Sequence, residues 1–332
     1  MKLATLNNGS RDGQLLVVSR DLRQAVLAQG FGTLQQALEN WDEAAPVLGR
    51  QYQALNRGEA PECLAFDPRQ VSAPLPRAYQ WCDGSAFLNH AHLLQKAFNL
   101  PPLADERIPL MYQGASDDFL GPCDDVPLPD MAHGIDFEGE FAVIVDEVPM
   151  GCPVDEALQH VRLIMLVNDV SLRGFLQHEV STGFGFFQAK PSSSFSPVAV
   201  TPQELGSAWR DGRVCLPLTV TWNQKWFGQP DGAEMSFSFA DLIAHAARTR
   251  RLRAGTIIGS GTVSNVDRAV GSACISERRA IEMIEQGQAQ TGFMRFGERI
   301  RIEAYDRAGD SVFGAIDQRI VDATLPAGEV RP

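Results

Sequence analysis

Glu138 and Glu140 stand one residue apart in Asp136-Phe-Glu-Gly-Glu-Phe141, at the head of an apolar run that continues to Val145. Phe141, Val143 and Val145 alternate with Ala142 and Ile144, which predicts a strand over Phe137–Val145 with Gly134 upstream of it. Strand side chains point to alternate faces, so the two carboxylates share a face with attachment points roughly 7 Å apart. Carboxylates that close, beside a half-buried run, repel each other unless one takes a proton or a cation sits between them. Hard oxygen ligands suit Mg²⁺, Ca²⁺ or Mn²⁺. The competing reading is a polar strand end held in water.

Other polar residues fall at strand ends and in Gly-rich turns. Asn168-Asp169 closes an apolar strand over residues 162–167, where an aspartate is commonly an Asx-turn residue. Asp83 and His90 lie seven apart, with His90 on a predicted helix, where a surface or satisfied core histidine is the plainer reading. Lys190 follows Phe186-Phe-Gln-Ala and is either a surface charge or a cation set against a negative site. Gly259-Ser-Gly-Thr262 follows a strand and is either a tight turn or a backbone cradle for an anion.

The elements that must hold these residues are mostly short strands. Lys2–Leu6, Gly13–Val18 and Ala25–Gln29 read as strands, followed by a helix over Thr33–Asn56 interrupted at Pro46. The proline-rich stretch Phe66–Arg77 reads as a linker, giving a small N-terminal β unit with a helix over 1–72 and a main body over 73–332. The body shows strands at Phe137–Val145, Arg162–Val167, Pro197–Val200, Val214–Trp222, Thr256–Ile258, Arg299–Tyr305 and Val312–Val321. Helices are expected at Ala86–Asn99, Val154–His160, Pro202–Ser207 and Phe239–Arg248. Strands outnumber helices without alternating with them, so the expected class is α+β, mainly β, and not a doubly wound sheet.

Composition narrows the function. A chain of 332 residues with a formal charge of −12 is a poor partner for polyanions, so neither nucleic acid nor membrane is expected as a partner. The six cysteines are scattered with no Cys-x-x-Cys, which fits free thiols in a reducing cytosol and hence a cytoplasmic location. The N-terminus turns polar at once, unlike a signal peptide, and the apolar runs are too short to span a bilayer.

Six motifs occur together and in order: Asp83-x₆-His90, Tyr112-Gln-Gly, Asp136-x-Glu-x-Glu140, Asn168-Asp-x-Ser-x-Arg173, Phe186-x₃-Lys190-Pro and Gly259-Ser-Gly-Thr262. As a set over residues 73–321 they resemble the fumarylacetoacetate hydrolase family. The resemblance implies a mixed β-sandwich roll carrying the site, an SH3-like N-terminal β domain, and a homodimer. It implies Asp83, Glu138, Glu140 and Asp169 as ligands of Mg²⁺ or Ca²⁺, with Mn²⁺ also suited. It implies His90 as the water-activating base with Glu277 the nearest candidate for its orienting carboxylate. Arg173, Gln177 and Lys190 would hold the developing oxyanion, and Tyr112, Thr262 and Ser85 would line the substrate. The activity implied is hydrolytic C–C cleavage of a 1,3-diketo acid such as fumarylacetoacetate, in tyrosine or other aromatic catabolism. The alternatives are a fumarylpyruvate-type acylpyruvate hydrolase, an oxo-acid decarboxylase or isomerase, and a metal- and ligand-binding protein without turnover. The position nine residues after His90 is Asn99, where the family's animal enzymes carry an arginine, so the reaction class is better supported than the substrate.

Overall fold

The computed structural model describes residues 1–99 and 105–324; the last eight residues of the expected main body, 325–332, lie outside the described residues. The fold is α+β and mainly β. One mixed sheet of twelve strands runs, in spatial order, through 64–65, 24–27, 14–18, 2–6, 199–200, 161–168, 139–145, 257–259, 81–84 and 111–113, with two short strands paired off this path. A second sheet of five strands is ordered 225–228, 218–222, 299–304, 316–322 and 126–128.

The central strand Gly139–Val145 is buried along its whole length. Its alternation divides the apolar core. Phe141, Val143 and Val145 join Leu218, Val220, Ile300 and Ile302 of the second sheet, together with Phe239 and Leu242 of the helix Phe239–Ala246. Ala142 and Ile144 face the other way, toward Leu34, Leu38, Leu48 and Tyr52 of the N-terminal helices. Each fully buried large apolar side chain contributes about 1.5–3 kcal/mol. A strand lined this way on both faces is therefore a rigid platform for whatever sits at its end.

The N-terminal strands extend the same sheet. Lys2–Leu6 pairs with Gln14–Val18 on one side and with Ala199–Val200 on the other. Within the expected linker, Val71–Ser72 also pairs with the first strand.

The expected helix over Thr33–Asn56 is two helices, Leu34–Glu39 and Trp41–Asn56, and the break falls at Asn40 and not at Pro46. Asn40 has φ −130° and caps the first helix with its side-chain amide on the Gln36 carbonyl at 3.0 Å. Pro46 lies inside the second helix with its ring exposed. The carbonyl it leaves without a donor belongs to Asp42, an exposed residue. The expected strand over Phe137–Val145 is likewise shorter: Ile135–Asp136 pairs with Ser171–Leu172, and the main strand begins at Gly139. Glu138 lies between the two and makes a single bridge to Cys274. Among the described residues no helix is long and apolar enough to cross a membrane.

Candidate active site

Four adjacent strands bring the acidic residues to one edge. Val161–Asn168 runs antiparallel to Gly139–Val145 with Gly139 opposite Asn168. Gly139–Val145 pairs in turn with Ile257–Gly259, and Ala142 stands opposite Gly259. Ile257–Gly259 runs parallel to Trp81–Gly84, with Gly259 beside Asp83. Trp81, Ala142 and Val167 all belong to the same side of the core. Asp83, Glu140 and Asp169 are each two residues from one of these, so the period-two rule sends them to that side. Gly259 lies between the flanking strands and makes the meeting possible. A Cβ there would stand 2.2 Å from Asp83 Oδ1 and 2.5 Å from the Trp81 ring. Gly261, at φ +75°, carries the turn past the Gly84 carbonyl, which a Cβ would approach to 2.4 Å.

One ligand atom from each of Asp83, Glu140 and Asp169 lies within 4.8 Å of the others, and all three residues are buried. Asp83 Oδ1 accepts the Gly261 N–H at 3.1 Å. Among the described residues neither oxygen of Glu140 has a hydrogen-bond donor. Burial, then the charge of Asp83 and Asp169, pushes the Glu140 carboxyl well above the ordinary carboxylate range. Burial and Asp169 do the same to Asp83. Taking even one such charge out of water costs several kcal/mol, and three acidic groups in contact add their repulsion. Two orphaned oxygens aimed at two further carboxylates fit a hard divalent cation, whose charge removes both penalties. The donor set is all oxygen, which suits Mg²⁺, Ca²⁺ or Mn²⁺ and not a soft metal.

Glu138 lies outside this group of three. Oε1 accepts from Ser171 Oγ at 3.0 Å and stands 3.1 Å from Lys190 Nζ and 2.6 Å from Arg173 Nη2. Oε2 accepts from Thr262 Oγ1 at 2.8 Å. Burial raises the Glu138 carboxyl, but Lys190 and Arg173, with a smaller contribution from His90, outweigh it and hold Glu138 below the usual range. Lys190 bridges the two parts of the site, donating to Asp169 Oδ2 at 2.6 Å as well. Burial disfavours its ammonium, yet Asp169 and Glu138 prevail and raise its pKa. Asp169 also accepts from the Tyr112 hydroxyl and, on Oδ1, from Ser193 Oγ at 3.0 Å. The Tyr112 ring lies edge-on to Phe186 at 5.1 Å, with Lys190 Nζ 5.3 Å from its centroid. Arg173 donates through Nε to Asp136 Oδ2 at 2.8 Å, and Asp136 and Glu138 keep it charged against the effect of burial.

His90 occupies the third position of the helix Leu88–Phe98, and its Nδ1 stands 2.7 Å from Glu277 Oε2. Glu277 belongs to the helix Ile275–Gln286, is 1% exposed, and presents its carboxylate to the imidazole across the packing of the two helices. With Nδ1–H donated to Glu277, Nε2 keeps its lone pair and can take a proton. Ser85 lies at the turn, its N–H on the Leu110 carbonyl at 2.9 Å and its Cα 3.1 Å from where a Gly261 Cβ would be. Gln177 is one turn along from Arg173 in the helix Arg173–Thr182, but its side chain is exposed and makes no hydrogen bond among the described residues. Residues 173–182 and 275–286 were not expected as helices. Ser171 and Ser193, which hold Glu138 and Asp169, were not singled out from the sequence, although Ser171 sits inside the Asn-Asp-x-Ser-x-Arg motif.

Residues 80–321 match the sequence model described as fumarylacetoacetate (FAA) hydrolase C-terminal, and residues 1–77 match fumarylacetoacetase N-terminal domain 2. Among curated proteins, a 2,4-didehydro-3-deoxy-L-rhamnonate hydrolase from Sphingomonas sp. is 30% identical over 210 residues, covering 62% of this chain and 69% of that one. A human mitochondrial oxaloacetate tautomerase, FAHD2B, is 24% identical over 246 residues, covering 69% of this chain and 73% of that one. Among solved structures, a putative HpcE protein from Mycobacterium smegmatis superposes with TM-score 0.66 at 21% identity, covering 97% of this chain and 100% of the other. A maleylpyruvate hydrolase from Sphingobium sp. SYK-6, in complex with manganese(II) ion and pyruvate, gives 0.62 at 17% identity over 97% and 99%. With a family model matched through the strands, turns and helices that assemble the carboxylate site and the histidine–glutamate pair, the chain belongs to the fumarylacetoacetate hydrolase family.

Proposed function

We propose that the protein is a divalent-metal-dependent hydrolase that cleaves the C–C bond of a 1,3-diketo acid of the acylpyruvate or fumarylacetoacetate type. The observation that carries this reading is the His90–Glu277 pair at 2.7 Å, with His90 near enough to Glu138 to lower its pKa. A histidine whose tautomer is fixed by a carboxylate is the apparatus for deprotonating water. Asp83, Glu140 and Asp169, with Glu138 beside them, would hold the ion. When bound, it supplies the Lewis-acid charge that polarises a diketo oxygen.

His90 Nε2 takes a proton from water as the water oxygen bonds to the electrophilic carbonyl carbon. Arg173 and Lys190, both kept charged by their carboxylate neighbours, stabilise the negative oxygen that results. Lys190 therefore acts as an ammonium and not as an amine nucleophile. The C–C bond then breaks, its electron pair leaves as an enolate, and the proton held on His90 returns to that fragment. Tyr112 and Phe186 form an aromatic wall beside Lys190.

The manganese and pyruvate in the maleylpyruvate hydrolase structure support the acylpyruvate class, since cleavage of an acylpyruvate releases pyruvate. A second reading, tautomerisation of oxaloacetate, draws on the tautomerases among the relatives and on Lys190 and Tyr112 converging on Asp169. Purified protein with Mn²⁺ or Mg²⁺ should be given fumarylacetoacetate, fumarylpyruvate, maleylpyruvate, acetylpyruvate and oxaloacetate. Loss of diketone absorbance with release of two acids is the expected result. Enol–keto exchange of oxaloacetate with no diketone cleaved would overturn the hydrolase reading in favour of the tautomerase.

A further inference from the structure

Asp136 opens the acidic motif, yet it is not among the three grouped carboxylates. It is wholly buried, and its two oxygens accept three hydrogen bonds. Oδ1 accepts the Ile275 N–H at 2.7 Å, and Oδ2 accepts the Ser276 N–H at 2.9 Å and Arg173 Nε at 2.8 Å. Ile275 and Ser276 are the first two residues of the helix Ile275–Gln286, and Glu277 is the third.

The first-turn N–H groups of a helix have no partner inside it. A glutamate at the third position commonly folds back to cap the start of its own helix. Here the cap comes from elsewhere. Asp136 takes the N–H groups of Ile275 and Ser276, and Cys274 Sγ takes that of Glu277 at 3.3 Å. The Glu277 carboxylate is thereby released from local capping and reaches His90. The same Asp136 carboxylate fixes the guanidinium at the start of the helix Arg173–Thr182.

We propose that Asp136 is a positioning residue that holds the Arg173 guanidinium and the Glu277–His90 pair in one frame. The proposal rests on the hydrolase reading for its kinetic consequence, because that reading assigns Arg173 to the oxyanion and His90 to water. Charge–helix capping and the guanidinium contact are two uses of one buried group, so disturbing it displaces both catalytic arms together while leaving Asp83, Glu140 and Asp169 in place.

The test is Asp136→Asn in the full chain. Its amide keeps the shape but has one acceptor oxygen where the carboxylate has two. On the diketo acid cleaved in the panel above, kcat should fall about 10–10²-fold, the usual cost of losing a group that orients others, with KM changed less than about threefold. Mn²⁺ affinity by calorimetry should stay within about threefold. The downfield proton resonance of His90 Nδ1–H, assigned by its absence in His90→Gln, should broaden or vanish; a purely structural role would leave it in place. Combined with Glu277→Gln, Asp136→Asn should cost little beyond the worse single variant, since both act through one arrangement. Multiplicative losses, or an intact resonance with unchanged kcat, would overturn the proposal. If Asp136→Asn does not fold, Cys274→Ser supplies a stronger cap at the same helix start, and the double variant carries the same measurements. If wild type cleaves no diketo acid, the hydrolase reading fails on its own, and the His90 resonance in Asp136→Asn still decides the role of Asp136.

Discussion

Glu140→Gln isolates the electrostatic cost of the carboxylate site. Glu140 is fully buried, has no donor on either oxygen among the described residues, and its carboxyl is raised first by burial and then by Asp83 and Asp169. A carboxyl whose folded pKa lies above its unfolded value binds protons more tightly in the folded state. Its contribution to stability is therefore complete below about pH 4, the unfolded value, and is lost as the pH rises through the raised folded value. Metal-free wild type should accordingly lose stability as the pH rises from about 4 through the raised folded value. With neighbours inside 4.8 Å, each ionised carboxylate opposes a second one by roughly 3 kcal/mol at an effective dielectric of 20. The amide relieves that repulsion, at a cost of about 1–3 kcal/mol for whichever of its polar atoms stays unpaired. Since two neighbours repel and one group is left unpaired, relief wins. Metal-free Glu140→Gln should be about 3–5 kcal/mol more stable than metal-free wild type at pH 8, and the difference should shrink as the pH is lowered to 5. Manganese at 100 times its Kd should stabilise wild type by about 2.7 kcal/mol, roughly 5 °C in Tm at this size, and the variant by much less. Urea midpoints and thermal melts with and without Mn²⁺ at both pH values are the assay. A variant less stable than wild type at pH 8 that keeps the full manganese shift would refute the reasoning.

Asp169→Asn should weaken Mn²⁺ or Mg²⁺ binding and abolish turnover, and unchanged calorimetric affinity would remove the three-carboxylate site; Glu138→Gln should abolish turnover by releasing Lys190 and Arg173. His90→Ala should cut diketone cleavage about 10²–10⁴-fold with metal binding kept, as read by steady-state rates alongside calorimetry. Gly259→Ala places a Cβ 2.2 Å from Asp83 Oδ1; a loss of about 1–3 kcal/mol in urea unfolding and a weakened metal site are expected. A homodimer is proposed on the family resemblance; sedimentation showing a monomer at micromolar concentration would contradict it.

The carboxylates were legible in the sequence because their chemistry is carried by residue type and local spacing: Glu138 and Glu140 sit two apart, and Asp169 closes an apolar run. The long strands were legible for the same local reason. What escaped was built by distant contacts. The helix Ile275–Gln286 receives its cap from Asp136, 139 residues away, and its buried face holds little more than Ile275, Ser276, Glu277 and Ala280. The helix Arg173–Thr182 has no side-chain cap and buries only Glu179, whose carboxylate takes the N–H groups of Phe187, Gln188 and Ala189. Strands such as Trp81–Gly84 and Met111–Gln113 are too short to show a period and exist by pairing with neighbours. The contact between His90 and Glu277 spans 187 residues and was reached through the family resemblance alone, since no local pattern fixes such a distance.

The pairing of Lys2 with Val200 and of Leu3 with Ala199 bears on how the molecule is made. The strand that begins the chain stands next to one that begins near residue 199, and Ile164 of the strand leading to Asp169 is the next partner of Val200. Closing loops of that length before any contact rewards them is slow. Until it happens, the Ala199–Val200 strand is an open edge beside an apolar run, a template for pairing with another chain. Cutting the chain at residue 72 would make that transient edge permanent. A fragment carrying every carboxylate and His90 is thus expected to aggregate, and mixing in residues 1–72 as a separate peptide should restore solubility by supplying the missing strand.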